Sequence, residues 1–421
     1  MHCVKPKSSY VNIFLYLVLL GAIGILACSP PPEAASNAVV FEGSRLIVGD
    51  GSAPIENAVF VVEDGKLVEV GAASEVEPPA GAARVDLTGM TVIPAIIDTH
   101  THLSTDRDAL IQDLRRRVDY GVSAAMSLGR DPGDLPIQMR DEEIEGVARY
   151  RTAGLGISMP EPGRSNIAHW VTTVEEARQA AREEATRGVD FIKIWVDDRD
   201  GQYEKLSPEF YGAVIDEAHQ GGVRVTAHIF TLEDAKGLLL AGIDAFAHGV
   251  RDTDVDDEIV GLFKERPDFV LVPNLPSRGV ATDYGWLSGS LTSEQVEALQ
   301  AAATENPQAQ ATFAIQARNL ARLSAEGVTI ALGTDGNTPW APHVEMEDMV
   351  AAGMTPAQVI VAATRNSADL LRLTDAGTIE VGKRADFLVL EANPLDDIVN
   401  TRRIAAVYLE GAEVDRAAAS E

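Results

Sequence analysis

Val92-Ile93-Pro94-Ala95-Ile96-Ile97-Asp98-Thr99-His100-Thr101-His102 is the stretch from which the rest of the chain can be read. Its apolar, β-branched run predicts a strand buried on both faces that ends abruptly in His-Thr-His. Side chains alternate along a strand, so His100 and His102 leave the same face at its carboxyl end. Two imidazoles on one face form a pincer for a divalent cation. A pair of polar histidines in an exposed turn would spell the same motif, so the surrounding pattern has to decide.

Downstream, strand and helix alternate. Candidate strands fall at 122–126, 153–157, 190–195, 224–228, 245–248, 269–272 and 328–332, which with the opening strand makes eight. Helix starts between them are marked by capping-box spacing at Thr173/Glu176, Thr292/Gln295 and Thr355/Gln358, and by proline at the first helical position in Ser207-Pro208. Eight alternations predict a closed (β/α)8 TIM barrel. A doubly wound sheet would carry a Gly-rich phosphate loop after its first strand, and none is present. The flanks read differently. Residues 38–91 are short strands and turns, with a hairpin at Glu63-Asp64-Gly65-Lys66, and strands return at 385–390 and 404–411. The expected α/β architecture is a barrel, 92–375, inserted in a small β-sandwich formed by 38–91 and 376–421.

Composition narrows the partners. Lys+Arg 35 against Asp+Glu 64 gives a formal charge of -29 with no basic stripe, which argues against nucleic acid and, for a small-molecule substrate implied on other grounds, favours cationic groups. A homo-oligomer stays open beside a monomer.

Active sites of (β/α)8 barrels form at the carboxyl ends of the strands. Here the unusual ionisable residues collect there: His100 and His102 on the first, Lys193 late in the fourth, His228 on the fifth, His248 on the sixth, and Asp335 after the eighth. Each has an ordinary structural explanation when taken alone. Together, on five strand ends of one barrel, they describe a site. His169, Tyr203, Arg251 and Asn274 fall on the same face and are candidate substrate contacts; Arg251 suits a carboxylate, or an ion pair with Asp252 or Asp254. His219 and His343 look helical and structural. The stretch 273–289, with Trp286, reads as a lid or a long surface loop.

With those residues in hand, the chain resembles the metal-dependent amidohydrolase superfamily, in its imidazolonepropionase-like and Xaa-Pro-dipeptidase (prolidase)-like branch. The resemblance rests on His100-Thr101-His102, Phe-Ile-Lys193-Ile-Trp, Thr-Ala-His228, Phe-Ala-His248-Gly, Gly-Thr-Asp335-Gly and the stretch Gly377 to Asp386. Ala95 stands where the family commonly has glycine, and Ser127-Leu128-Gly129 replaces the usual Arg-Asp pair after the second strand. The resemblance implies two divalent metal ions, zinc first, with manganese, cobalt or iron also compatible with such ligands. By it, His100, His102 and Asp335 hold one metal, His228 and His248 the other, and carboxylated Lys193 bridges them. It further implies a metal-activated water, with Asp335 as catalytic base and proton carrier, hydrolysing an amide-like C–N bond of a dipeptide or N-acyl amino acid. Alternatives are a deaminase or a lactone/ester hydrolase on the same scaffold, and a non-catalytic ligand-binding lipoprotein.

The amino terminus carries an address. Lys5 and Lys7, an apolar segment, and Ile25-Leu26-Ala27-Cys28 resemble a bacterial lipoprotein signal, 1–28, with Cys28 lipidated. An uncleaved helical anchor is the alternative. Residues 29–37 read as a tether. The implied location is the cell envelope, at the periplasmic face of the outer membrane, with the membrane reached through the lipid anchor. With Cys3 removed, Cys28 is left alone, so no internal disulfide is possible.

Overall fold

The computed structural model describes residues 37–164 and 167–416. The signal segment, Cys28 and the tether as far as residue 36 lie outside the described residues. Among those described, no helix is long and apolar enough to cross a membrane.

The fold is α/β, a (β/α)8 barrel joined to a small β-sandwich that both ends of the chain build. In the sandwich Val39–Leu46 pairs antiparallel with Ile55–Glu63, and that strand with Lys66–Ala72. Asp64 and Gly65, both at positive φ, make the turn between them. Val39–Leu46 is one bulged strand, because Gly43 at φ +88° lets the ladder skip a residue without ending. Phe387–Leu390 from the carboxyl end pairs antiparallel with Thr91–Pro94 from the amino end. Phe41 stacks on Phe60 at 4.9 Å and Phe387 on Tyr408 at 4.6 Å, so aromatic rings from both ends close one core.

The opening stretch is two strands, not one. Thr91–Pro94 belongs to the small sheet and Ile96–Thr101 starts the barrel. Pro94 has no N–H to give to a ladder. At the next residues the backbone changes partner: Ala95 N–H donates to Asp386 O, and Ile96 N–H donates to Gly121 O. The remaining barrel strands are Val122–Ser127, Arg149–Thr152, Phe191–Val196, Arg224–Ile229, Ala245–Ala247, Val270–Val272 and Thr329–Ile330. Their pairing is parallel throughout. Thr99 N–H donates to Leu332 O to close the ring, and Asp190 N–H to Thr152 O joins the third and fourth strands.

The third strand lies earlier than expected. Arg149–Thr152 alternates polar with apolar residues and hides as a surface pattern, whereas Ala153-Gly154-Leu155-Gly156 is bent by Gly154 at φ +57° and resumes only at Ile157–Ser158. All three capping boxes form. The 273–289 stretch is fastened down: Leu287 is buried, and Trp286 packs edge-on to Tyr120 and His343 and beneath the Arg402 guanidinium.

Candidate metal centre

Four of the expected ligand residues meet over the barrel mouth. Donor atoms of His100, His248 and Asp335 all lie within 4.8 Å of one another. His102 Nε2 stands 3.0 Å from Asp335 Oδ1, and His248 Nε2 3.6 Å from Oδ2. His100 Nε2 is 3.2 Å from Oδ1 but off the line of a hydrogen bond, so this buried nitrogen is left without a hydrogen-bond partner. Nδ1 of His102 and of His248 and Nζ of Lys193 are buried and unpartnered as well. Three imidazoles crowded on one carboxylate, with His100 Nε2 left orphaned beside it, are costly unless a cation completes them. The residues present therefore fit a divalent metal.

Local structure aims each group. His100 Nδ1 donates to Asn274 Oδ1 at 2.8 Å; an amide oxygen can only accept, so the proton sits on Nδ1 and the Nε2 lone pair faces the cluster. Asn274, expected to touch substrate, thus stands behind His100. Its neighbour Leu275 N–H is held by both carboxylate oxygens of the buried Glu345 at 3.0 and 3.2 Å. Asp335 is set by Asp98, which accepts from Thr334 Oγ1 at 2.7 Å and faces the fully buried Arg117 at 3.4 Å. Arg117 also donates to Gly336 O at 3.1 Å, so helix Arg107–Asp119 is tied to the loop after the last strand. His248, Asn274 and Asp335 all have positive φ, a strained backbone that clusters at functional sites.

Electrostatics follow from burial and crowding. Burial, with the nearby Lys193 charge, pushes His100 down to about 4. Burial takes His228 to about 3 and His248 well below its ordinary value. These imidazoles are neutral at pH 7, the state a metal ligand needs. Asp335 is held low because the surrounding imidazoles outweigh its burial. Burial also lowers Lys193 to about 7, with Asp335 opposing the shift. Gly129 leaves the space this lysine occupies: a Cβ there would come within 2.7 Å of Lys193 Cγ.

His228 is placed differently from the other imidazoles. Its ring lies 4.6 Å from that of His248, but its Nε2 engages Asp197 Oδ2 at 2.9 Å and Arg199 Nη1 at 3.0 Å. Of the expected substrate contacts, His169 turns away to Glu184 at 2.8 Å, and the Tyr203 hydroxyl donates to Pro162 O. Neither lines the cavity over the cluster. The Arg251 side chain makes no hydrogen bond or ion pair among the described residues, its Nε is shut from water, and the charges it feels are Asp335, Asp197 and the like-charged Arg199. The aspartates offered to it by sequence are used elsewhere, Asp252 by Leu232 N–H and Asp254 by Arg318.

The cavity measures about 500 Å³ and reaches His102, His228 and Asp335. Sequence reading passed over part of its wall: Arg130, Glu161, Trp170, Trp195 and Arg199. An Arg130-Asp131 pair lies in the loop after the second strand. Asp131 is buried and accepts from Ser127 and Thr152 hydroxyls, both at 2.7 Å, stitching the second strand to the third. Asp197 and Arg199 follow the fourth strand directly, so the strand-end rule that found Lys193 would also have found them.

Residues 91–414 match the model of the amidohydrolase family. Ochratoxinase of Aspergillus niger is 25% identical over 452 residues, covering 94% of this chain and 88% of that protein. Imidazolonepropionase of Deinococcus deserti is 26% identical over 399 residues, covering 89% and 93%. Among solved structures, a prolidase-like protein from Bifidobacterium longum superposes with a TM-score of 0.75 at 30% identity, over 90% of this chain and 95% of that one.

Proposed function

The chain belongs to the amidohydrolase family, and from that premise we propose that it hydrolyses the C–N bond of a dipeptide or N-acyl amino acid with divalent metal bound at the strand ends. The observation that carries this is the clustering of His100, His248 and Asp335 donor atoms within 4.8 Å, beside the unpartnered buried Lys193 amine. His100, His102 and Asp335 would hold one ion and His228 and His248 a second, with zinc the first choice. When bound, the metal polarises the amide carbonyl and acidifies a water.

The chain's own residues do the rest. A lysine brought to about 7 is substantially the free amine at neutral pH. Its lone pair can add to carbon dioxide, releasing one proton and leaving an anionic carbamate at Lys193 that suits a bridging position. Asp335, held ionised by its imidazole neighbours, takes a proton from the attacking water and returns it to the leaving amine. Arg251 lies close to Asp335 but does not line the cavity, so it adds positive charge beside the cluster rather than a grip on the substrate. His228 must exchange its contact with Asp197 to bind metal, so Asp197 and Arg199 hold that ring until loading.

The test is metal analysis of the purified protein, followed by a screen of dipeptides and N-acyl amino acids before and after chelation. Amide hydrolysis that vanishes with chelation and returns with zinc is expected; hydrolysis untouched by complete metal removal would overturn the reading. For the amino terminus, the proposal is a lipid anchor at Cys28 facing the periplasm. Cys28→Ala should then move the protein from the membrane to the soluble fraction, and unchanged partition counts against it.

A further inference from the structure

Part of the cavity wall is apolar. Only five large hydrophobic side chains are exposed among the described residues, and two of them, Trp170 and Ile167, line this cavity. Trp195 lies beside them, two residues beyond Lys193 on the same strand face. Its indole is fixed by neighbours that lack a Cβ: one added at Gly156 would fall 2.4 Å from Trp195 Cζ3, and one at Gly129 3.0 Å from Cη2. An indole clamped in this way presents a preformed surface and loses little freedom when a ring stacks on it.

The charges on this wall do not balance. Glu161 pairs with Arg164 at 2.5 Å and with Arg199 at 3.0 Å, and Arg199 also pairs with Asp197. Arg130 lines the same cavity, is exposed, and has no hydrogen bond or ion pair with any described residue. In a chain of formal charge -29, carboxylates are plentiful, and an unpaired guanidinium at the mouth of a cavity is a receptor for an anion from outside.

We infer that the substrate carries an aromatic ring, seated on the Trp170/Trp195/Ile167 wall, and a free carboxylate read by Arg130. The inference rests on the amide-hydrolase reading for the reaction but not for the binding.

Calorimetric titration of the metal-loaded full chain tests it with three probes: 3-phenylpropanoate, 3-cyclohexylpropanoate and 3-phenylpropanamide. The aromatic acid should bind at least about tenfold tighter than either of the others. Trp170→Ala should erase the preference for the flat ring, and Arg130→Gln the preference for the carboxylate. Both side chains are exposed, so neither change threatens folding. Three affinities within twofold of one another, or preferences that survive the variants, overturn the inference. Turnover of N-acetylphenylalanine and N-acetylcyclohexylalanine is then compared. If neither is cleaved while the ring preference in binding holds, the hydrolytic reading fails and the ring site stands. If both are cleaved with equal KM, the ring site fails and the hydrolytic reading stands.

Discussion

Asp335 and Lys193 divide the chemistry between them, and each makes a separable prediction. Asp335 is the carboxylate on which three imidazoles converge, so Asp335→Asn removes the proton acceptor while keeping the shape. Turnover should fall by about 10²–10⁴-fold, measured on protein whose metal content has been checked. A metal-loaded variant working near the wild-type rate would end the role given to Asp335. Lys193 is the residue whose burial is costly as an ammonium: 1% exposed, without a hydrogen-bond partner, with only the Trp195 ring 5.7 Å from its Nζ, and with its charge opposed by desolvation. Lys193→Ala should lower the bound metal from two ions toward one and abolish turnover, with partial rescue by a short carboxylic acid that can occupy the vacated space. Full activity without such an acid would refute the bridge. Both residues were legible in the sequence because each breaks a local rule, a lysine in an apolar strand and an aspartate between glycines at a strand end. Asn274 was legible by position only. That it braces His100 from behind depends on a contact across 174 positions of chain, which no local pattern records.

At the level of elements, the strands were readable wherever burial on both faces made them continuously apolar, and were misread where a break was backbone-encoded. Pro94 and Ala95 split one apolar run between two sheets, and hydrophobicity alone does not register the change of partner. The same holds for Gly154, which ends the visible pattern of the third strand after its polar-looking start. What fixes the first helix relative to the site was also hidden: Arg117 looks like one more surface arginine in Arg115-Arg116-Arg117, yet it is fully buried against Asp98. Removing one partner of a buried pair leaves the other uncompensated, at a cost of about 3–5 kcal/mol. Arg117→Leu is therefore expected to lower stability by roughly that amount in chemical denaturation. Because Arg117 also holds Gly336 O, the variant should retain less metal under equal dialysis. A variant as stable and as metal-replete as wild type would show that the strut carries no load.

The whole molecule is joined by contacts between distant parts of the chain, and one of them titrates. His343, at the start of helix Ala341–Ala351, lies with Nε2 2.9 Å from Tyr120 O and Nδ1 3.1 Å from Thr401 Oγ1. It thereby links a barrel helix, the turn before the second strand and the carboxyl-terminal segment. A carbonyl oxygen only accepts, so Nε2 carries a proton, while the Thr401 hydroxyl gives its own proton to Ile398 O. The ring is shut from water. Burial, opposed by the bond to Tyr120 and aided by Arg402 and Arg416, takes it from 6.5 to about 4. Between those values the unfolded chain binds a proton that the folded chain refuses, so folding stability falls as pH drops through this window and is intact above it. From pH 8 to pH 5 the shift corresponds to about 2 kcal/mol. His100, His228 and His248 act in the same direction in metal-free protein, so the comparison belongs with the metal-loaded form. There His343→Gln should be less stable than wild type at pH 8 but lose about 2 kcal/mol less on acidification to pH 5. Parallel stability curves for the two proteins would place the acid sensitivity elsewhere.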